Sequence, residues 1–483
     1  MNYPKIYRPF YFLLVTVFVL AFAACKDENE EDTLNLVVSE NVAAVRANTV
    51  SIDITGTAES GVRSLTVTPG IGSFPQPLSI TMGATDIQTT FTYTIPADAR
   101  LSDNYSINFE LTDAADQKTS ATTVVSVDPV LTSAPATYSF DRNGTSTVSF
   151  SGQNERLDMV KAIKDYLIQG DKKETTISAA TLNDAYANTG ENGNGFFDFM
   201  STKQLKDKTF APDLDNNFME DLFAGAEAVS QSGANASNGT AGFIERENSG
   251  NTIMIDANGR EFTQLIEKGL MGTVMYNQIY NTYFTDDRTG DEVENTSLRE
   301  GKNYTDLEHH WDEAFGYFNP PLDFTSAWPE AREDELRYWS DYSNVVDPFI
   351  KTNDDIMNAF LAGRTAIVNN NLAAKNAQRA ILFEKLELVA AATSIHYINS
   401  SLGYLNEGKI GEAFHTLSEA WAFVNALTYN PNRRISLDQI QAIKETDLGA
   451  NGSFWNTTAA DLNRAKNTLV TSFPELEDVK DEL

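Results

Sequence analysis

The sequence predicts a multidomain chain: an N-terminal immunoglobulin-like β-sandwich followed by a mostly α-helical, internally duplicated bundle domain. Three observations carry that expectation. Apolar residues alternate with period two from Leu34 to Val127, they recur with a period near 3.6 after Glu155, and two ten-residue segments in the helical part repeat one pattern. At 483 residues the chain has room for two or three domains of roughly 150 residues each. With 68 Asp and Glu against 36 Lys and Arg, the formal charge of -32 repels phosphate backbones, so nucleic acid is excluded as a partner. A single cysteine excludes intrachain disulfides and CxxC metal or redox centres.

Taken in order, the first segment is a leader. Lys5 and Arg8 precede an apolar run from Tyr11 to Ala24, too short for a membrane span of about 20 residues but suited to a signal-peptide core. Phe22, Ala23 and Ala24 before Cys25 resemble a bacterial lipobox, which implies a signal peptide over residues 1–24 and lipidation at Cys25. Residues 25–33 read as an acidic linker. Lys26, Asp27 and Glu28 open a run that resembles the acidic signal by which Bacteroidota export lipoproteins to the outer face of the outer membrane. An acylated Cys25 would anchor the chain without a spanning helix.

The predicted sandwich occupies 34–128. Short strands are expected at Leu36–Val38, Val50–Ile54, Leu65–Val67, Leu78–Met82, Phe91–Ile95, Tyr105–Leu111 and Thr122–Val127, separated by Gly, Pro, Asn and Asp turns. Asp128 to Asp141, with Pro129 and Pro135, reads as a linker or lead-in strand. The helical domain fills 129–483. Leu157, Val160, Ile163 and Leu167 predict a helix stopped by Gly170. Further helical runs cover 262–284, 307–318, 356–405, 410–427 and 437–443, with capping boxes at Thr305/Glu308 and Ser436/Gln439.

The chemistry gathers on the repeated segments. In HHWDEAFGYF, His309 and Glu313 are one helical turn apart, while Trp311, Ala314, Phe315 and Phe318 take the other face. In HTLSEAWAFV, His415 and Glu419 repeat the pair, and Glu267–Lys268 and Glu384–Lys385 open the runs upstream of each segment. Imidazole and carboxylate on facing helices suit a metal, and His309, His310, Glu313, His415 and Glu419 are the expected ligands, with iron or zinc as the metal. A solvated ion pair explains each pair more plainly. His310 and His396 each fit a core or surface position as well as they fit a ligand's. No GxSxG elbow or GxxxxGK cradle is present.

HHWDEAFGYF in an acidic helical lipoprotein resembles the signature of a Bacteroidota lipoprotein domain family similar to the imelysin-like proteins. Those are duplicated helical bundles associated with iron uptake, some grouped with metallopeptidases through a GxHxxE motif. His310 to Glu313 match HxxE, with Glu308 in place of the glycine. The resemblance, covering roughly Tyr138 to Leu483, implies a surface-exposed outer-membrane lipoprotein that binds iron, another metal or an iron complex for uptake, with an outer-membrane receptor as partner. Its rivals are a metallopeptidase-like hydrolase with Glu313 as general base, and a metal-free module holding glycans or proteins through aromatics such as Trp328, Tyr338 and Trp339. Binding rather than catalysis is the leading expectation.

Overall fold

A computed structural model describes residues 33–70, 74–209 and 217–483. The expected leader, Cys25 and nearly all of the acidic linker lie outside them. The chain has a β-rich N-terminal region followed by a mostly helical C-terminal one. It divides into two compact units: residues up to 42 with 51–93 and 105–124, and residues 43–50, 94–104 and 125–483.

Strands β1 (Leu34–Val38), β2 (Val42–Val45), β3 (Thr49–Ala58), β4 (Val62–Pro69), β5 (Gln76–Pro77), β6 (Asp86–Thr94), β7 (Asn104–Asp113) and β8 (Lys118–Asp128) build the β-rich region. They form a three-stranded sheet, β1-β3-β6, and a five-stranded one, β2-β8-β7-β4-β5. Period-two patterning is strict in β3, where every second side chain from Val50 to Ala58 is buried. Phe91 on β6 meets Phe109 on β7 edge-on at 5.9 Å, joining the two sheets. The strand expected at Leu78–Met82 does not form. After Gln76 and Pro77 pair with β4, the Leu78 N–H still donates to the Leu65 carbonyl at 2.9 Å, but the ladder goes no further and Met82 is exposed.

The helical unit opens on a small hairpin, β9 (Asp141–Arg142) with β10 (Thr145–Ser146), and continues into α1 (Ser151–Asp171). The predicted linker before it is docked, with Tyr138 and Phe140 buried. Helices α2 (Ala179–Ala187) and α3 (Phe218–Ser232) lead to the hairpin of β11 (Gly242–Glu245) and β12 (Thr252–Ile255). Then α4 (Phe262–Leu270) runs on through π-helical turns at Met271–Tyr276 and Ile279–Tyr283. Helices α5 (Asp286–Thr289), α6 (Asp306–Phe318), α7 (Trp339–Ile350), α8 (Asn353–Val368), α9 (Leu372–Glu407), α10 (Ile410–Ala426), α11 (Leu437–Ala442) and α12 (Ala459–Ser472) complete it. At 36 residues, α9 is about 54 Å long and carries α8 and α10 along its length. Both predicted capping boxes form. No helix among the described residues is long and apolar enough to cross a membrane.

The apolar face of α6 lies where its pattern puts it. Trp311, Ala314, Phe315 and Phe318 are fully buried, and the Trp311 indole donates to the Phe360 carbonyl at 3.0 Å. The ring fits because α8 has no side chain at Gly363, where a Cβ would fall 2.0 Å from Trp311 Cζ2. Gly363→Ala should therefore destabilise the helical unit by about 1–3 kcal/mol through overpacking. Urea denaturation measures it, and an unchanged midpoint would show that the two helices part freely.

Candidate metal centre

The charged residues of the α6 segment divide into two groups. Glu308 and Asp312 face inward onto Arg364 of α8, which is fully buried and sits 3.1 Å from Glu308 Oε1 and 3.0 Å from Asp312 Oδ1. Arg142 adds a second ion pair to Glu308 at 3.0 Å, Tyr138 donates its hydroxyl to Asp312 at 2.8 Å, and Arg364 donates to the Thr147 hydroxyl at 2.9 Å. Burial pushes the Asp312 carboxyl up to about 6, despite Arg364 and Tyr138. Burial also acts on Glu308, but Arg364, the Thr305 amide and Arg142 outweigh it and hold that carboxyl below its usual range. These residues clamp 138–149 onto α6 and α8. Glu308, standing where the resembling motif has glycine, thus has a packing role.

His309 and Glu313 occupy the more open face. The Ser149 backbone serves both groups: its N–H donates to Asp312 at 3.2 Å and its carbonyl accepts from His309 Nδ1 at 3.1 Å. Bonded in this way, His309 carries its proton on Nδ1 and turns Nε2 toward Glu313 Oε2, 3.7 Å away. Its ring stacks on Tyr304 at 4.6 Å. The other oxygen of Glu313 accepts from Gln153 of α1 and from the Tyr283 hydroxyl, each at 3.2 Å. Burial lowers the pKa of His309, with Glu313 opposing, so the imidazole is neutral at pH 7 and its Nε2 lone pair is available.

His310 is placed otherwise. Nδ1 meets the Arg288 carbonyl at 2.8 Å and Nε2 meets Arg288 Nη1 at 3.1 Å, so both nitrogens are occupied. Half-buried His396 touches the Tyr397 ring and its pKa is lowered by burial.

The second pair has the same local geometry in a different environment. His415 Nε2 lies 3.6 Å from Glu419 Oε2, but its Nδ1 meets the Glu261 carboxylate at 2.6 Å. Glu419 continues to Lys268 at 3.6 Å, which pairs with Glu267, and Glu267 meets Lys164 of α1 at 2.8 Å. Burial works against charge on His415, yet Glu261 and Glu419 outweigh it and hold the imidazolium above the usual histidine value. A metal here would have to displace a proton. The upstream repeat does not share this environment: Glu384 is exposed, and Lys385 pairs with Asp355 at 2.9 Å.

The two pairs are separate places. Gln153 of α1 reaches the first, whereas Lys164, eleven residues or about 16 Å further along the helix, meets Glu267 in the network around the second. The five expected ligands are thus brought together as two pairs, with His310 turned aside. Among the described residues no three His, Cys, Asp or Glu side chains are grouped to hold an ion. Sequence spacing missed Gln153, Tyr283 and Glu261. The run ending near Tyr283 gave a signal for one of them; nothing local marked Glu261, 154 residues from His415.

An acidic helical domain with two paired His/Glu faces is the class defined so far. Residues 135–474 match the family described as "Domain of unknown function (DUF4856)", and the chain belongs to that family. No curated protein matches it. Among solved structures, a Niemann-Pick type C2 protein from Japanese carpenter ant matches over 21% of this chain and 98% of its own, at 11% identity and a TM-score of 0.15, too low to bear on fold or function.

Proposed function

We propose that the chain is a surface-displayed outer-membrane lipoprotein whose helical domain binds iron, as the ion or in a complex, for uptake. The observation that carries the reading is the His309/Glu313 pair. A neutral Nε2 and a carboxylate oxygen 3.7 Å apart can both reach one ion at about 2.0–2.2 Å, and the opposite nitrogen is fixed by Ser149 in the way metal-bound histidines are oriented. The anchor and its surface display rest on Lys5, Arg8, the apolar run, Cys25 and the acidic residues after it.

Within this reading the β-rich region is an immunoglobulin-like stalk, supported by two sheets of three and five strands joined through Phe91 and Phe109. The helical domain is a duplication, supported by the equal i,i+4 geometry of the two pairs. One copy keeps a neutral histidine and the other has become an ion-pair network. The metal-free binding module loses two of its three aromatics, since Trp328 and Trp339 are buried and the Trp339 indole donates to the Met271 carbonyl at 3.0 Å, while Tyr338 is half-buried.

Lipid-free residues 26–483 produced with several metals should retain about one equivalent of iron or zinc by mass spectrometry. His309→Ala with Glu313→Gln should lose it, and His415→Ala with Glu419→Gln should keep it. Equal content in all three would remove the site, and metal-dependent cleavage of a peptide library would turn the reading to hydrolysis.

A further inference from the structure

A cavity of about 680 Å³ opens in the helical unit and shares no residue with either His/Glu pair. One wall is a face of α3, where Phe218, Leu222, Gly225, Val229 and Ser232 follow one another at steps of three or four and so line one side of the helix. Phe262 at the head of α4 and Trp421 of α10 supply further walls, and the Trp421 ring stacks on Phe218 at 6.0 Å. Gly225 lets Phe262 come this close, since a Cβ there would fall 2.5 Å from Phe262 Cε1. On the next turn α3 carries only the small, exposed Ala228 and Ser232, which leave the cavity open to solvent.

The Trp421 side chain is buried, and its indole Nε1 has no hydrogen-bond partner. Buried indole N–H groups nearly always find an acceptor. Trp311, Trp328 and Trp339, also buried, each donate to a backbone carbonyl. Half-buried Trp455 lacks an acceptor too, but Trp421 lacks one as a wall of an apolar cavity, the usual form of a small-molecule site. The charged side chains of the cavity are acidic in balance. Asp256 and Arg260 close on each other at 2.7 Å, which leaves Asp221 and Glu445, neither with an ion-pair partner among the described residues. Lys444 is buried, lies over the Trp421 ring at 4.7 Å and donates to the Asn425 side chain at 2.8 Å, and it does not line the cavity. An entering anion is repelled and an ammonium is favoured.

We propose that this cavity binds a small apolar amine that also carries a carbonyl. Its apolar body lies against Leu222, Phe262 and Trp421, the carbonyl accepts from Trp421 Nε1, and the ammonium is held by Asp221 and Glu445. The site is independent of the metal reading and stands or falls without it.

Calorimetry of the full chain with matched probes tests this. L-Phenylalanine amide, which has a ring, a carbonyl and an ammonium, should bind. N-Acetyl-L-phenylalanine amide, without the charge, should bind about threefold more weakly, and 3-phenylpropionate, an anion, more weakly still. Asp221→Asn with Glu445→Gln should remove the difference between the first two. Trp421→Phe should weaken phenylalanine amide about fivefold and leave phenethylamine, which has no carbonyl, unchanged, a contrast that repacking alone does not produce. Ala228→Trp, at an exposed position, should abolish binding of every probe with the thermal melt unchanged. No binding of any probe, 3-phenylpropionate binding as tightly as the amide, or amide binding that survives Ala228→Trp overturns the inference. Equal loss of both amines in Trp421→Phe overturns it as well, because the indole N–H then has no acceptor in the ligand.

Discussion

Replacing Arg364 with alanine should cost about 3–5 kcal/mol of unfolding free energy, because it strands Glu308 and Asp312 in the interior. Glu308 keeps Arg142 and its place in the α6 cap, so the larger share of the penalty falls on Asp312. That carboxyl is already raised to about 6 with Arg364 present, and without the guanidinium it rises further. The sign of the pH dependence follows. A carboxyl that binds its proton more tightly folded than unfolded favours the folded state as pH falls, so the variant's deficit should be smaller at pH 5 than at pH 8. Urea denaturation at both values tests this, with Arg364→Met/Asp312→Asn expected to recover part of the loss. A deficit under about 1 kcal/mol at pH 8 would mean that water reaches Asp312.

Lys268→Ala should be of similar size. Its ammonium lies between Glu267 and Glu419, both buried, and over the Tyr342 ring at 5.3 Å. Glu267 retains Lys164, whereas Glu419 is left with His415 alone. Removing the central cation of a buried network leaves uncompensated charge and costs about 3–5 kcal/mol. Adding Glu419→Gln should return part of it, since the neutral amide needs no counter-charge. If the second substitution deepens the loss, Glu419 is held by contacts other than Lys268 and the network is misassigned.

The two variants show why some of the site was readable and some was not. Period 3.6 over HHWDEAFGYF is enough to place Trp311, Ala314, Phe315 and Phe318 inside and His309 with Glu313 one turn apart, because helical geometry alone fixes those relations. The roles of Glu308 and Asp312 depend on Arg364, Arg142 and Tyr138, which are distant in sequence and meet them only after folding. The same limit explains the different states of two pairs with equal spacing: a carbonyl at Ser149 faces His309, and a carboxylate at Glu261 faces His415. In the β-rich region alternation placed β3 and β7 inside their sheets, and failed at Leu78–Met82, which follows the two-residue edge strand β5 and leaves Ser79, Thr81 and Met82 exposed. The β11–β12 hairpin was lost among Asn and Gly, whose turn preference hides short strands between them.

The indole wedged against Gly363 also bears on the proposed metal pair. With Trp311 filling the groove of α8, α6 cannot roll about its own axis, and the angular position of His309 and Glu313 is fixed once the unit has folded. A loop-borne pair would lose conformational freedom each time a ligand arrived; for the ligand proposed here that freedom would already be surrendered at folding, leaving more of any coordination energy as binding strength.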